Sequence, residues 1–230
     1  MFQGYSQEAV DFMWGIRFNN ERGWFLEHKD DYINTFLTPT RELGEQVYDA
    51  VHALLPDEPL MLKVSRIYRD ARRLFGRGPY KDHLWWCIRT GDKDWTGRPT
   101  FWFELGPDYY SFGLGFWSPA AALMETYRKQ IDAHPEELSK LVRQFNRQSV
   151  FTLDGPEYAR SKGQTSDLLR PWYQKKSLSL RWEGPLDERI FTSALAEDII
   201  AGFKTLIPFY HYFNKLVALT PRQERRGEEA

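Results

Sequence analysis

Apolar side chains recur every three or four positions through the first quarter of the chain, every second position across its middle, and every three or four again toward its end. Ser6 can cap a first helix, because its hydroxyl can accept from the orphan amides that follow, and Val10, Met13, Trp14 and Arg17 then lie at helical spacing until Asn19-Asn20 ends the run. A second helix is expected from about Glu21 through Leu37, carrying Trp24, Phe25, His28, Tyr32 and Phe36. Thr38-Pro39 reads as a restart, Thr as N-cap and Pro at the first helical position, followed by the stripe Leu43, Val47, Ala50, Val51 and Leu54. Pro56 to Pro59 is a loop.

The period then drops to two. Leu60 to Ile67, Leu84 to Thr90, Thr100 to Leu105 and Tyr109 to Trp117 read as strands of an antiparallel sheet, with Gly91 to Pro99 and Gly106-Pro107-Asp108 as turns. Helices are expected from Ser118-Pro119 to about Ala133 and from His134-Pro135 to about Gln148. Ser177 to Trp182 reads as a fifth strand, and Asp187 to Leu219 as helix broken or kinked at Pro208. Helices, a strand meander and helices again predict an α+β fold: an antiparallel sheet of about five strands with N-terminal and C-terminal helices packed on it. The expected organisation is one domain over residues 1–219 with a disordered tail over 220–230, and a division into two lobes near residue 150 is the alternative.

Composition narrows the class. At 230 residues and 27.3 kDa the chain can bury a sizeable core unaided, and aromatics at 16%, with nine Trp, point to a core rich in rings. A lone Cys87 excludes an internal disulfide and a cysteine-based zinc cage. The N-terminus lacks the basic and apolar regions of a secretory signal, and no run approaches the roughly 18 apolar residues of a membrane span. A cytoplasmic protein without a membrane partner is expected. The five His are scattered without zinc spacing, and there is no Gly-x-Ser-x-Gly elbow, so neither a metal nor a cofactor is expected.

The formal net charge of -1 hides a local asymmetry. Between Arg66 and Asp82 stand Arg66, Arg69, Arg72, Arg73, Arg77 and Lys81 against only Asp70 and Asp82. They occupy a connection of about sixteen residues between two strands, a length that in compact domains is commonly functional or disordered. Guanidinium groups fork onto carboxylate or phosphate oxygens and an ammonium adds a point charge, so the cluster is a candidate anion site. The alternative is that these cations pair with Asp70, Asp82 and acids elsewhere and tie the loop to the domain. Asp70 is the candidate catalytic residue; set among cations it should be ionised, able to orient an arginine or act as a base. "GRGPYKD" lacks the spacing and the Lys-Ser/Thr pair of a phosphate-binding P-loop. Single-stranded nucleic acid, gripped by the same cations and stacked on Tyr68, Phe75, Tyr80 and Trp85, is the weaker reading because the patch is short and the remainder acidic. Gly113 and Gly115 leave one strand face bare, for a closely packed helix or for a ligand.

Three segments in order resemble one family. "RIYRDAR" followed by "PYKDHL" is similar to the Arg-Asp-x-Arg to Pro-Tyr-Lys signature of domain-of-unknown-function family 2461, conserved hypothetical proteins found chiefly in bacteria. "NNERGWFLEHKDDY" and "GPDYYSFGLGFWSP" resemble that family's Asn-Asn, Trp-Phe, Lys, Tyr pattern and its Gly-x-Gly segment. The resemblance implies no established activity. It groups Arg69, Asp70, Arg72, Pro79, Tyr80 and Lys81 in one site and brings in Asn19, Asn20, Trp24 and Lys29 as neighbours. The family's Phe-Ser-Lys-Asp-Lys run is replaced here by residues 73–77, which changes the ligand or the activity of the loop. The resulting expectation is a small anionic ligand, phosphorylated or not, bound by Arg66, Arg69, Arg72, Tyr80, Lys81, Asn20, Lys29 and Trp24, with catalysis left open. The rival is a non-catalytic module that docks a protein or single-stranded nucleic acid.

Overall fold

The computed structural model describes residues 1–70, 72, 74 and 76–221. Arg73 and Phe75 of the basic loop, and the expected tail from residue 222 on, lie outside the described residues. Helix α1 (Gln7–Phe18) buries Ala9, Val10, Phe12, Met13 and Ile16. Ser6 takes the N-cap position with extended backbone, but its hydroxyl makes no capping bond.

The expected second helix is interrupted. It forms α2 (Arg22–Glu27), leaves helical geometry at His28, resumes as α3 (Lys29–Asp31), and widens into a π-helical stretch over Tyr32–Leu37. That stretch runs without a break into α4 (Thr38–Leu54), so Thr38-Pro39 does not restart the chain. Pro39 has no N–H for the carbonyl four residues back, and a wider turn absorbs the missing bond. Thr40, fully buried, returns its hydroxyl to the Phe36 carbonyl at 2.7 Å.

The sheet follows: β1 (Leu60–Val64), β2 (Leu84–Thr90), β3 (Pro99–Leu105) and β4 (Tyr109–Phe116) form an antiparallel meander. After α5 (Ala121–Ala133) and α6 (Pro135–Phe145) come β5 (Thr152–Asp154), α7 (Arg170–Tyr173), β6 (Ser179–Pro185) and α8 (Ala194–Leu219). Strand order is β1-β2-β3-β4-β6-β5, all antiparallel, so the α+β class holds with six strands in place of about five. The added strand, β5, is three residues long, too short to display an alternation. Helix α8 passes through Pro208 without breaking, because its buried face, Phe203, Leu206, Phe209, Tyr210 and Phe213, continues on both sides of the proline.

One face of the sheet carries Trp86, Ile88, Phe101, Phe103, Phe112 and Leu114, aligned strand to strand by the register. Phe203 of α8 meets Trp86, Phe101 and Phe112, while Tyr210 stacks on Phe101 at 5.4 Å. One core cluster runs from Phe2 to Leu216. The opposite face carries Lys63, Trp85, Cys87, Arg89, Trp102, Glu104, Ser111, Gly113 and Arg181. At the bare positions Gly113 and Gly115 the nearest atoms belong to the neighbouring strand segment. A Cβ on Gly113 would fall 2.1 Å from the Leu180 carbonyl oxygen, and one on Gly115 2.6 Å from that of Leu178, so these glycines let β4 and the β6 segment approach closely.

Candidate functional site

The connection between β1 and β2 is not a free loop. Tyr68 and Tyr80 form an antiparallel bridge, with the Arg69 amide donating to the Pro79 carbonyl at 2.8 Å and the Lys81 amide to that of Ile67 at 2.7 Å. Alternation across this short ladder sends Tyr68 and Tyr80 to one side and Arg69 and Lys81 to the other. The tyrosines land on Phe25 of α2: the Tyr80 ring stacks on Phe25 at 4.3 Å, and Tyr68 lies edge-on to it at 5.9 Å. Tyr80 is therefore an anchor, 4% exposed.

Asn20, just past α1, fastens the same strand. Its side-chain amide donates to the Tyr80 carbonyl and its oxygen accepts from the Tyr80 amide, both at 2.9 Å. Gly78 makes the approach feasible, since a Cβ there would sit 2.2 Å from the Asn20 Oδ1. Arg69 Nε donates to the same Tyr80 carbonyl at 2.8 Å.

Asp82 is the hub beneath the cations. It accepts from Arg17 Nε at 2.6 Å and from His83 Nδ1 at 3.0 Å, while Arg69 Nη2 stands 3.9 Å away. The His83 hydrogen bond and then Arg17 hold its carboxyl well below the usual carboxylate range, against the opposing effect of burial. Arg17 continues to Asp108 at 3.2 Å, joining α1 to the β3–β4 turn. Arg17 and Asp108 escaped the sequence reading. The only signal for them was a charged residue riding the apolar stripe of the first helix.

Lys81 ends up differently. Its ammonium lies 5.6 Å from the centre of the Trp85 ring on β2 and has no hydrogen-bond or ion-pair partner among the described residues. Burial, and then Arg69 and Arg66, bring it down to about 8, with Glu104 of β3 pulling the other way. Glu104 stands opposite Trp85 in the register and accepts a hydrogen bond from the Tyr109 hydroxyl. The same desolvation lowers the Arg69 guanidinium. Arg66, Arg69 and Lys81 thus share a region in which Asp82 is committed to Arg17 and His83, and Glu104 to Tyr109.

The remaining candidates fall elsewhere. Asp70 accepts from the Arg72 amide at 3.0 Å and from the Arg72 guanidinium at 3.0 and 2.8 Å, a local fork in which Arg72 is 88% exposed. Lys29 is exposed on α3, and none of the hydrogen bonds or ion pairs of the cluster involves it. Trp24 stacks on His28 at 3.9 Å and fills the space left by Gly15, where a Cβ would lie 2.5 Å from its ring. It belongs to the packing of α1 on α2.

Among the described residues no three His, Cys, Asp or Glu side chains converge as a metal site. Cys87 is buried and burial pushes its thiol up to about 11, which disfavours a thiolate nucleophile. A cavity of about 280 Å³ lies at the other side of the sheet, walled by Tyr110, Phe112, Phe151, Trp182, Leu195 and Gly202. The charges at its rim, Arg189 and Asp198, satisfy each other at 3.5 Å. It offers apolar volume whose rim charges compensate each other.

A family model described as conserved hypothetical protein (DUF2461) matches residues 8–212 of the chain. Among curated proteins none matches significantly.

Proposed function

We propose, for a chain that belongs to the DUF2461 family of conserved hypothetical proteins, that it binds a small anionic ligand, phosphorylated or carboxylic, over Lys81, Arg69 and Arg66. The observation that carries this reading is the Lys81 ammonium: half-buried, under the charge of two guanidinium groups, and without a hydrogen-bond or ion-pair partner among the described residues, Glu104 acting on it only through space. A desolvated charge is expensive unless it is paired, and an incoming anion supplies the pair. Asp70 and Arg72, already forked together, would open toward such a ligand only by giving up each other.

The rival reading, a platform for single-stranded nucleic acid, takes Tyr68, Phe75, Tyr80 and Trp85 as its stacking residues. Phe75 lies outside the described residues, Tyr80 is already packed on Phe25 at 4.3 Å, and the Trp85 ring faces the Lys81 ammonium at 5.6 Å. A stacking base would have to displace it. We also place the protein in the cytoplasm, on the strength of its unpaired Cys87; among the described residues no helix is long and apolar enough to cross a membrane.

Thermal unfolding of the wild type and Lys81→Met against inorganic phosphate, sugar phosphates and dicarboxylates tests the reading. A ligand at ~100 times its Kd adds about 2.7 kcal/mol, a rise on the order of 5–10 °C for a chain of this size. A rise in the wild type that disappears in Lys81→Met is expected. No rise with any anion, or an equal rise in both proteins, overturns it.

A further inference from the structure

The geometry points to Lys81 as an amine nucleophile that forms an imine with the carbonyl of a small oxoacid whose carboxylate is held by Arg69 and Arg66. This inference rests on the anion-binding reading and deepens it by naming a substrate class.

A lysine becomes a nucleophile near neutral pH when it is taken out of water or set beside other cations. Lys81 meets both conditions. The ladder between Ile67 and Lys81 points its side chain to the same side as Arg69, the Trp85 ring covers it at 5.6 Å, and no carboxylate pairs with it among the described residues. The groups acting on it from the elements packed around it are Arg66 and Arg69 from the loop and Glu104 from β3, with Asp82 and Tyr109 next to those. The resulting shift of the ammonium to about 8 keeps a useful fraction in the free-base form near physiological pH.

The cations that favour the free amine also select the electrophile. A carbonyl compound without charge gains nothing from Arg69 or Arg66, whereas an oxoacid brings a carboxylate to them and its carbonyl to the neighbouring amine. The ammonium sheds its proton to solvent before attack. The nitrogen lone pair forms the C–N bond as the carbonyl π bond opens, and a proton passes from nitrogen to oxygen to give the neutral carbinolamine. A proton from solvent reaches that hydroxyl, the C–O bond breaks, and water leaves an iminium. Ammonium and ketone become iminium and water, and no oxidant or cofactor is required.

The test traps the iminium in the full-length chain. Pyruvate and, separately, acetone are incubated with the protein and cyanoborohydride at pH 8, and each labelling rate is divided by that of Nα-acetyl-lysine under the same conditions. Mass spectrometry of the intact chain and of its peptides should show one carboxyethyl group, located on Lys81. After this normalisation pyruvate should exceed acetone by roughly tenfold, the value of one charge-assisted hydrogen bond. Lys81→Met, with its fold verified by thermal unfolding, should lose that label. Label spread evenly over lysines such as Lys29 and Lys93, or a normalised acetone rate equal to that of pyruvate, overturns the inference. Thermal stabilisation by phosphate without label at Lys81 overturns the imine and leaves the anion site standing; absence of both overturns both.

Discussion

Arg17 Nε lies 2.6 Å from Asp82 Oδ2, an ion pair between residues 65 apart in the chain that ties the last turn of α1 to the segment leading into β2. Asp82 also serves His83 and faces Arg69, so removing its charge weakens two charge-assisted hydrogen bonds and a longer ion pair at once. Asp82→Asn should cost about 1.5–3 kcal/mol at pH 7, as hydrogen bonds to charged groups do, measured by chemical denaturation. A carboxyl depressed in the folded state contributes stability above its unfolded value, near pH 4, and loses it as pH falls toward the folded value. The gap between wild type and Asp82→Asn should therefore be constant above about pH 5 and close in acid. A gap that widens in acid would contradict this assignment.

Asn20 occupies both hydrogen-bonding groups of the Tyr80 backbone, a double clamp that fixes the strand bearing Lys81. Asn20→Ala leaves a partly buried amide without its acceptor, so a loss of about 1–3 kcal/mol is expected. Amide hydrogen exchange provides the local check: the Tyr80 amide should lose protection in the variant while amides in the β3–β4 ladder keep theirs. Equal loss across the sheet would show that Asn20 supports the whole fold and not this clamp.

The strands were legible because a sheet with one greasy face writes itself as a period of two: Leu84, Trp86 and Ile88 alternate with Trp85, Cys87 and Arg89. β5 was not legible, since three residues carry no period. Pro39 and Pro208 both resemble stops, yet neither ends its helix, because burial of the flanking apolar face outweighs one lost hydrogen bond. In the site, Arg69, Tyr80 and Lys81 could be grouped because their loop folds back on itself locally. Tyr80 turned out to be packed on Phe25, and Asp70 to be engaged with Arg72, because side-chain direction across the Tyr68–Tyr80 bridge depends on a register that spacing alone does not supply. Arg17 and Asp108 reach the cluster from distant elements, and nothing local marks them.

Arg69 and Arg72, three residues apart, should respond differently to truncation. Arg72 is exposed and its only described acid partner, Asp70, is its neighbour in the turn, so Arg72→Ala should leave the Tm unchanged. Arg69 is half-buried and donates to a backbone carbonyl within the ladder. Arg69→Ala should cost about 1.5 kcal/mol or more, the loss of a hydrogen bond from a charged group. Similar melting temperatures for the two variants would mean that Arg69 does not hold the ladder.

Gly113 tests the close approach of β4 and β6, with Gly23 as the unconstrained comparison. Gly23 in α2 has nothing within 4 Å of the place a methyl group would take, so Gly23→Ala should stabilise the protein by about 0.4–1 kcal/mol through the unfolded chain. Gly113→Ala would drive a methyl into the Leu180 carbonyl, and a loss of about 1–3 kcal/mol is expected. Denaturation midpoints of the two variants decide it: a Gly113→Ala protein as stable as wild type would mean that the strands can separate without cost.

Lys81 provides a prediction that runs against the usual direction for a charged residue. Its ammonium is brought down to about 8 in the folded state, by burial first and by Arg69 next, while in the unfolded chain it titrates at its ordinary value near 10.4. Between these two values the unfolded state binds more protons than the folded one, so this residue makes stability rise with pH across that window. Below pH 8 both states hold the proton and its cost to the fold is fully present. Lys81→Met keeps the stem over Trp85 and removes the charge, so the variant should be more stable than wild type at pH 7, and the difference should shrink as pH climbs toward 10. Denaturation midpoints of the two proteins at several pH values measure that difference directly, and because Tyr and Cys87 titrate in both, their contributions cancel. A difference that is flat with pH would mean that Lys81 is as well solvated as a surface lysine, and would remove the basis for both the anion site and the imine.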